Sequence, residues 1–282
     1  MAPFFLSYVN GEYTQEAKIS VLDLGLIRGY GVFDFLRTYG KQPFHLAAHL
    51  KRFRTSAQLL QLSVTQSDEN IRAIIQELLL KNSLPEAHIR LILTGGESSD
   101  NLLPEGKPNF LVLVRPITPY PPQLYLEGIS IITFQSERFL PECKSLNYIP
   151  AILALLKAKE QKAIEALYMN SQREVLEGTT SNFFLFKRGV LITPQNGILP
   201  GITRDVVLKL TQNTFPIELR PVQMEELSEA EEVFLTASNK EIMPVVRINN
   251  ATVGNGKVGK GTKEVMRLFR EYTLNPPWPQ NL

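Results

Sequence analysis

The chain has 282 residues, 44% hydrophobic and 21% charged, so it can bury a substantial core in one large or two medium domains. Its formal charge of +2 is spread over 30 basic and 28 acidic residues without a long basic block. This excludes the charge pattern of a nucleic-acid binder and favours small-molecule chemistry. The single cysteine, Cys143, excludes an intramolecular disulfide, and three histidines give little support to a metal site. From the cysteine and histidine counts we expect a cytoplasmic protein without a metal. We expect neither secretion nor membrane insertion, because no basic leader or long apolar run is present.

Strand and helix signals alternate through the first part of the chain. Residues 4–9, the turn Asn10-Gly11 and residues 12–14 predict a hairpin. Further strands are predicted at 32–39, 88–94 and 109–114, with helices at 45–62 and 68–81. The polar loop 95–101 is long enough to act as a mobile lid. We therefore predict a small N-terminal α/β domain over residues 1–116.

Proline occupies four of the eight positions in 115–122, which predicts a linker at 117–122. Beyond it, strands are predicted at 129–134, 182–186, 190–193, 232–236 and 243–248, and helices at 150–162, 203–213 and 262–272. These elements predict a large C-terminal domain over residues 123–282. The fold class is mixed α/β (α+β), with two domains.

Three features in this order are suited to holding a phosphorylated pyridine aldehyde. Lys144 lies on a short connector before a helix, where partial burial would lower its pKa and make it nucleophilic; the alternative is a surface lysine. Glu177 precedes a run of small polar residues and could keep a pyridine nitrogen protonated; the alternative is a plain turn. A helix starting near Gly201 offers free amides to a phosphate, although many helices begin this way. The turn 236–239 could complete the phosphate cup.

Arginines and histidines in the first half suggest further roles. Arg52, on a predicted helix, could bind a phosphate or lie on a solvated face. Arg28, before a Gly-Tyr-Gly turn, and Arg90, inside an apolar strand, could each bind an α-carboxylate or form a structural ion pair. His45 and His49 could ligate a metal, but surface or helix-capping roles are favoured because no third ligand follows.

Six ordered motifs over nearly the whole chain resemble the class IV, or fold-type IV, aminotransferases that use pyridoxal 5'-phosphate. They are Arg28-Gly29-Tyr30-Gly31-Val32-Phe33-Asp34, His49-Leu50-Lys51-Arg52-Phe53 with Ser56-Ala57, Lys144-Ser145-Leu146-Asn147-Tyr148, Glu177-Gly178-Thr179-Thr180-Ser181-Asn182, Gly201-Ile202-Thr203-Arg204, and Glu241-Ile242 before Pro244-Val245. The resemblance implies a two-domain homodimer in which a loop of the neighbour completes each active site.

The resemblance also implies roles for individual residues. Lys144 would form an imine with the coenzyme aldehyde and move a proton at the substrate α-carbon, Glu177 would pair with the pyridine nitrogen, and Tyr148 would lie near the ring hydroxyl. The implied coenzyme-binding residues, several of them at the phosphate, are Arg52, Lys144, Glu177, Thr179, Thr180, Ile202, Thr203, Ser238 and Asn239.

Within the family the chain looks most like bacterial D-amino-acid aminotransferases, which implies transfer between a D-amino acid and a 2-oxo acid such as 2-oxoglutarate. Those enzymes carry an Arg-x-His pair in the lid loop, whereas residues 98–103 here contain neither arginine nor histidine. Arg28 and Arg90 are the candidates for the substrate carboxylate instead. The alternatives are a branched-chain L-amino-acid aminotransferase, which usually has an aromatic residue in place of Arg28, a 4-amino-4-deoxychorismate lyase, and a non-catalytic coenzyme-binding protein.

Overall fold

The computed structural model describes residues 5–276 and 278, and the chain forms two compact units. The first contains Met1–Thr118, Cys143–Asn147 and Pro276–Leu282, and the second contains Pro119–Glu142 and Tyr148–Asn275. The short segment Cys143–Asn147 therefore lies outside the unit to which the sequence assigned it. It belongs to the first unit because its backbone hydrogen-bonds to a strand of that unit.

The first unit is built on one antiparallel six-stranded sheet with the order β2-β1-β6-β5-β3-β4. Its strands are β1 (Ser7–Val9), β2 (Glu12–Thr14), β3 (Gly31–Tyr39), β4 (Gln42–Pro43), β5 (Ala87–Thr94) and β6 (Asn109–Pro116). Its helices are α1 (Leu24–Ile27), α2 (Leu46–Leu59) and α3 (Asp68–Asn82). The predicted first hairpin is present, although its strand begins at Ser7; Phe4 lies outside the described residues.

Local sequence explains these elements. Asn10 and Gly11 both have positive φ, as a two-residue hairpin turn requires. Ser67 caps α3 by accepting a hydrogen bond from the Asn70 amide, and acidic residues occupy the first turn of this helix. Helix α2 packs on β3, whereas α3 packs on β6 and β1.

Strand β3 separates a buried face from a half-buried one. Val32, Asp34, Leu36 and Thr38 are fully buried, whereas alternate side chains, beginning with Phe33, point to the other face and are partly exposed. Because Asp34 is a charged residue in the buried set, it requires partners within the unit.

The second unit contains a ten-stranded sheet with the order β12-β11-β10-β14-β15-β7-β8-β9-β13, and β16 pairs with β15. Its strands are β7 (Ile129–Gln135), β8 (Glu165–Met169), β9 (Glu174–Gly178), β10 (Asn182–Lys187), β11 (Val190–Thr193), β12 (Ile217–Leu219), β13 (Val222–Gln223), β14 (Glu232–Ala237), β15 (Glu241–Ile248) and β16 (Ala251–Thr252). Its helices are α4 (Pro122–Glu127), α5 (Ile149–Glu160), α6 (Ile202–Thr211), α7 (Lys260–Thr273) and a 3-10 helix at Met224–Ser228.

The predicted strands and helices of the second unit are present, but α4, β8, β9, β12, β13, β16 and the 3-10 helix were not predicted. Helix α4 begins inside the predicted linker, at Pro122, because proline fits the first turn of a helix. Strands β8 and β9 bring Glu165 and Glu177 into the sheet, where both side chains are buried. Among the described residues, no helix is long and apolar enough to cross a membrane.

Candidate active site

In the first unit, Lys144 is held against strand β3 by backbone hydrogen bonds. Its carbonyl accepts a bond from the Phe33 amide (2.9 Å), and its amide donates to the Ser56 hydroxyl (3.0 Å). The neighbouring Leu146 amide donates to the Gly31 carbonyl (2.9 Å). A Cβ on Gly31 would lie 2.7 Å from Leu146 Cδ1 and 2.6 Å from the Leu93 carbonyl of β5, so glycine allows the connector to approach this strand. The connector carrying Lys144 is therefore fixed as firmly as an added strand.

Lys144 and Arg90 both lie close to the Phe33 ring. Lys144 Nζ is 4.7 Å from the ring centroid, and Arg90 Cζ is 5.8 Å from the same centroid. Lys144 Nζ and Arg90 Cζ can thus be no more than 10.5 Å apart, which is the sum of these two distances. Arg90 also lies 5.5 Å from the Phe35 ring, and its side chain is exposed. Arg90 pairs with Phe35 across the sheet and therefore lies on the same sheet face as Phe33 and Phe35.

Arg28 has a different environment. It ends helix α1, is exposed, and donates from Nη1 to the Ile27 carbonyl at 3.0 Å.

The predicted lid loop lies between β5 and β6 and is ordered by Asp100. The Asp100 carboxylate accepts hydrogen bonds from the Ser98 hydroxyl and from the Leu102 and Leu103 amides. Leu102 and Leu103 remain exposed.

Arg52 is part of a buried charge cluster with Asp34 and His49. Arg52 donates from Nε and Nη2 to the two Asp34 oxygens at 2.9 and 2.8 Å, and His49 Nδ1 lies 2.6 Å from Oδ1. Burial raises the pKa of Asp34, but the Arg52 charge and the His49 contact outweigh this effect and hold the pKa below its usual value. The carboxylate is therefore ionised and accepts a hydrogen bond from His49 Nδ1.

The expectation of surface or capping roles for both histidines was wrong. His49 is fully buried, and burial lowers the pKa of its ring, so it is neutral. His45 occupies the N-cap of α2 but makes no capping bond with its side chain; it packs on Phe44 and Trp278. Within the described ranges, no group of three or more His, Cys, Asp or Glu side chains could hold a metal ion.

In the second unit, the Glu177 carboxylate is held by several donors and is 5% exposed. Arg138 donates to Oε1 from Nε (2.9 Å) and Nη2 (2.7 Å). The Leu199 amide donates to Oε2 at 3.1 Å, and Asn182 Nδ2 lies 3.4 Å from that oxygen. A charge-assisted pair of this geometry fixes the orientation of the carboxylate. Arg138 was not predicted from the sequence.

The start of helix α6 lies beside the same group. Its N-cap is Gly201, which supplies no side-chain cap, so the first-turn amides, including those of Ile202 and Thr203, receive no capping acceptor from that residue. A Cβ on Gly201 would lie 1.8 Å from Asn182 Oδ1, and Asn182 Nδ2 donates to the Leu199 carbonyl at 2.9 Å. Glycine thus allows the uncapped helix start to approach the residues around Glu177.

The remaining predicted coenzyme residues lie in two turns and at one helix end. Thr179 and Thr180 follow β9, and Ser238 and Asn239 form the turn between β14 and β15. Tyr148 occupies the N-cap position of α5 and is partly buried.

The polar groups of the second unit suit a phosphorylated pyridine aldehyde. Glu177 is an oriented acceptor suited to a protonated ring nitrogen, and the uncapped start of α6 is suited to a phosphate. In the neighbouring strand, Thr236 Oγ1 is buried and has no hydrogen-bond partner in the described chain, although its residue pairs with Asn182. A buried hydroxyl without a partner is consistent with a group that completes the site.

The fold is a mixed α/β architecture, and the second unit carries side chains and helix amides suited to a phosphorylated coenzyme. The model of the family "Amino-transferase class IV" matches residues 31–248. The chain is 36% identical to the "Putative branched-chain-amino-acid aminotransferase" of Methanocaldococcus jannaschii, covering 94% of this chain and 95% of that protein. It is 32% identical to the D-alanine aminotransferase of Staphylococcus haemolyticus, with 94% and 96% covered.

A solved aminotransferase structure is also similar to this chain over nearly its whole length. The T.th. branched-chain amino acid aminotransferase with pyridoxamine 5'-phosphate superposes with a TM-score of 0.91 at 27% identity, covering 98% of this chain and 97% of that one. The chain belongs to the class IV aminotransferases, and its coenzyme is pyridoxal 5'-phosphate. The predicted fold class, family and coenzyme are confirmed.

Proposed function

We propose that this enzyme moves an amino group between a D-amino acid and a 2-oxo acid such as 2-oxoglutarate. The main support is the placement of Arg90, because it shares the Phe33 ring with Lys144. A guanidinium near the ring that the lysine also contacts can receive an α-carboxylate bidentately while the α-carbon meets the coenzyme. Arg28 is the second candidate, and an arginine at its position argues against an apolar side-chain pocket.

The proposed roles follow from the chemistry of each group. When bound, the coenzyme supplies the aldehyde and the electron-accepting ring that amino transfer requires. Lys144 carries the aldehyde and moves the proton at the substrate α-carbon. Glu177, which Arg138 orients, would keep the ring nitrogen protonated, and Tyr148 would be the residue near the ring hydroxyl. Arg52, Thr179, Thr180, Ile202, Thr203, Ser238 and Asn239 are proposed to hold the coenzyme, several of them at its phosphate.

Paired assays with D-alanine and L-leucine against 2-oxoglutarate, and with D-glutamate against pyruvate, test the substrate class. We expect turnover of the D-amino acids. A branched-chain activity is the second candidate, since the 36% identical relative carries that name. Turnover of L-leucine alone would contradict the proposed stereochemistry and favour this second function.

Arg90→Ala is expected to raise KM for the amino acid by about 10- to 100-fold, because a charge-assisted hydrogen bond contributes about 1.5–3 kcal/mol. Arg28→Ala is expected to weaken binding in the same direction. Coenzyme content, read from visible absorption, should stay at the wild-type level in both. Arg247→Ala, which removes an exposed strand arginine of the second unit, is the matched control. Unchanged kinetics in both Arg28→Ala and Arg90→Ala would remove these residues from the proposal.

We also propose a cytoplasmic homodimer in which a neighbouring loop completes each site. Helix α5 supports this, because Ile149, Ile152, Leu153 and Leu156 follow helical spacing along one face and are all more than half exposed. Contiguous exposed apolar side chains are typical of an interaction surface.

Leu153→Glu is expected to shift the protein to a monomer, because a charge at the centre of this apolar face would be buried without a partner. Light scattering coupled to size-exclusion chromatography measures the mass. Lys159→Glu, an exposed change on the same helix, should leave the mass unchanged. A wild-type protein that is already monomeric would contradict the homodimer.

A further inference from the structure

The second unit contains a buried ion pair that none of the roles above uses. Glu165 begins β8 and is fully buried, and Lys240 closes the turn before β15 and is 3% exposed. Lys240 Nζ lies 3.1 Å from Glu165 Oε2. Removing both charges from water opposes folding, so such a pair often contributes little net stability. Its geometry, rather than its energy, indicates what it does.

The Glu165 carboxylate orders the turn that follows β9. It accepts hydrogen bonds from the hydroxyls of Thr179, Thr180 (2.9 Å) and, more weakly, Ser181 (3.4 Å). Burial raises the pKa of Glu165, but the Lys240 charge and these hydroxyls outweigh it and hold the pKa below its usual value. An ionised carboxylate therefore holds three consecutive side chains of this turn.

Lys240 ties this turn to the one between β14 and β15. Its ammonium donates to the Thr180 hydroxyl at 2.5 Å as well as to Glu165. Its backbone is fixed as well, since the Lys240 amide donates to the Ala237 carbonyl and the Tyr125 hydroxyl donates to the Lys240 carbonyl, both at 3.2 Å. One ammonium thus connects the turn containing Thr179 and Thr180 with the turn containing Ser238 and Asn239.

We propose that Lys240 is a positioning residue of the coenzyme site, which orders both turns before the phosphorylated coenzyme binds. The inference rests on the proposed function in assigning Thr180, Ser238 and Asn239 to the coenzyme. The Thr180 hydroxyl donates to Glu165 and accepts from Lys240, so its rotamer is set in advance. A preorganised set of polar groups binds a ligand without the cost of ordering side chains.

The experiment compares the dissociation constants of pyridoxal 5'-phosphate and of pyridoxal, which lacks the phosphate, by absorption titration of the apoenzyme. The wild-type apoenzyme should bind pyridoxal 5'-phosphate much more tightly than pyridoxal. Lys240→Met is expected to reduce the ratio of the two affinities at least about tenfold, with little change for pyridoxal. Lys240→Arg should retain most of the ratio because it keeps the charge. The control is Lys187→Met at the end of β10, which breaks the ion pairs of Lys187 with Glu226 and Glu229.

The double variant Glu165→Gln/Lys240→Met separates positioning from stability, because it removes both buried charges. We expect its thermal midpoint to recover towards wild type while its affinity ratio stays low. Equal weakening of both ligands in Lys240→Met, an unchanged ratio, or recovery of the ratio in the double variant would each overturn the inference. The wild-type enzyme could fail to turn over D-amino acids while Lys240→Met still lowers the ratio of the two affinities. That result would contradict the proposed function and leave this inference standing.

Discussion

Lys144→Ala is expected to lower kcat/KM for amino transfer by at least about 10³-fold, because the variant loses both the amine that carries the coenzyme and the proton-transfer group. The backbone of Lys144 is anchored to Phe33 and Ser56 through main-chain atoms, so truncation of the side chain should leave the connector in place. The loss would then belong to the chemistry and not to folding.

The measurement is steady-state turnover together with visible absorption of the coenzyme-loaded protein. Lys144→Arg keeps a positive charge near the Phe33 ring but cannot form the covalent link, so it should be as inactive as Lys144→Ala. Lys159→Ala on α5 is a control for the loss of an exposed lysine. If Lys144→Ala retained more than about a tenth of the wild-type rate, the lysine would be excluded from the proton transfer assigned to it.

The sequence predicts much of the fold where a local signal exists. The period-two pattern of β3, the Asn10-Gly11 turn and the Ser67 cap of α3 are each encoded by neighbouring residues, and the structure contains all three elements. The strand β8 was missed because its apolar run is short and has no alternation to distinguish it. Its burial on both faces arises only from pairing with β7 and β9.

The candidate site divides in the same way. Lys144 and Glu177 were singled out because the chemistry demands those residue types, but their supports could not be predicted. Arg138 is 39 residues from Glu177 along the chain, and Lys240 lies further from Glu165 still. Long-range pairs of this kind leave no periodic signal, so a single sequence cannot distinguish their members from surface charges.

Asp34 shows how such a pair changes the interpretation of a motif. From the sequence, Asp34 was only the last residue of a family motif, and Arg52 was interpreted as either a phosphate ligand or an exposed charge. In the structure, two bonds from Arg52 to Asp34 hold the guanidinium in one orientation, and its side chain is only 9% exposed. If Arg52 holds the coenzyme phosphate as proposed, Asp34 sets its direction.

Asp34→Ala is therefore expected to lower the free energy of unfolding by about 3–5 kcal/mol, because it leaves Arg52 and His49 buried without their acceptor. Urea denaturation at a single protein concentration measures the change. The matched control is Asp68→Ala, which breaks a 2.7 Å ion pair with Arg54 in which the two side chains are 39% and 35% exposed. Its loss should stay below about 1 kcal/mol. Equal losses in the two variants would show that burial of the Asp34 cluster does not determine its contribution.

The pH dependence provides an independent check with a defined sign. The pKa of Asp34 is lower in the folded protein than its ordinary value of 3.8, mainly through Arg52 and His49 acting against burial. The folded state therefore binds fewer protons than the unfolded state as the pH falls below about 4. The contribution of Asp34 is fully present above that pH and is lost as the pH falls through the folded pKa. Wild type should lose stability more steeply than Asp34→Asn between about pH 4 and pH 2, and parallel curves would contradict a lowered pKa for this carboxyl.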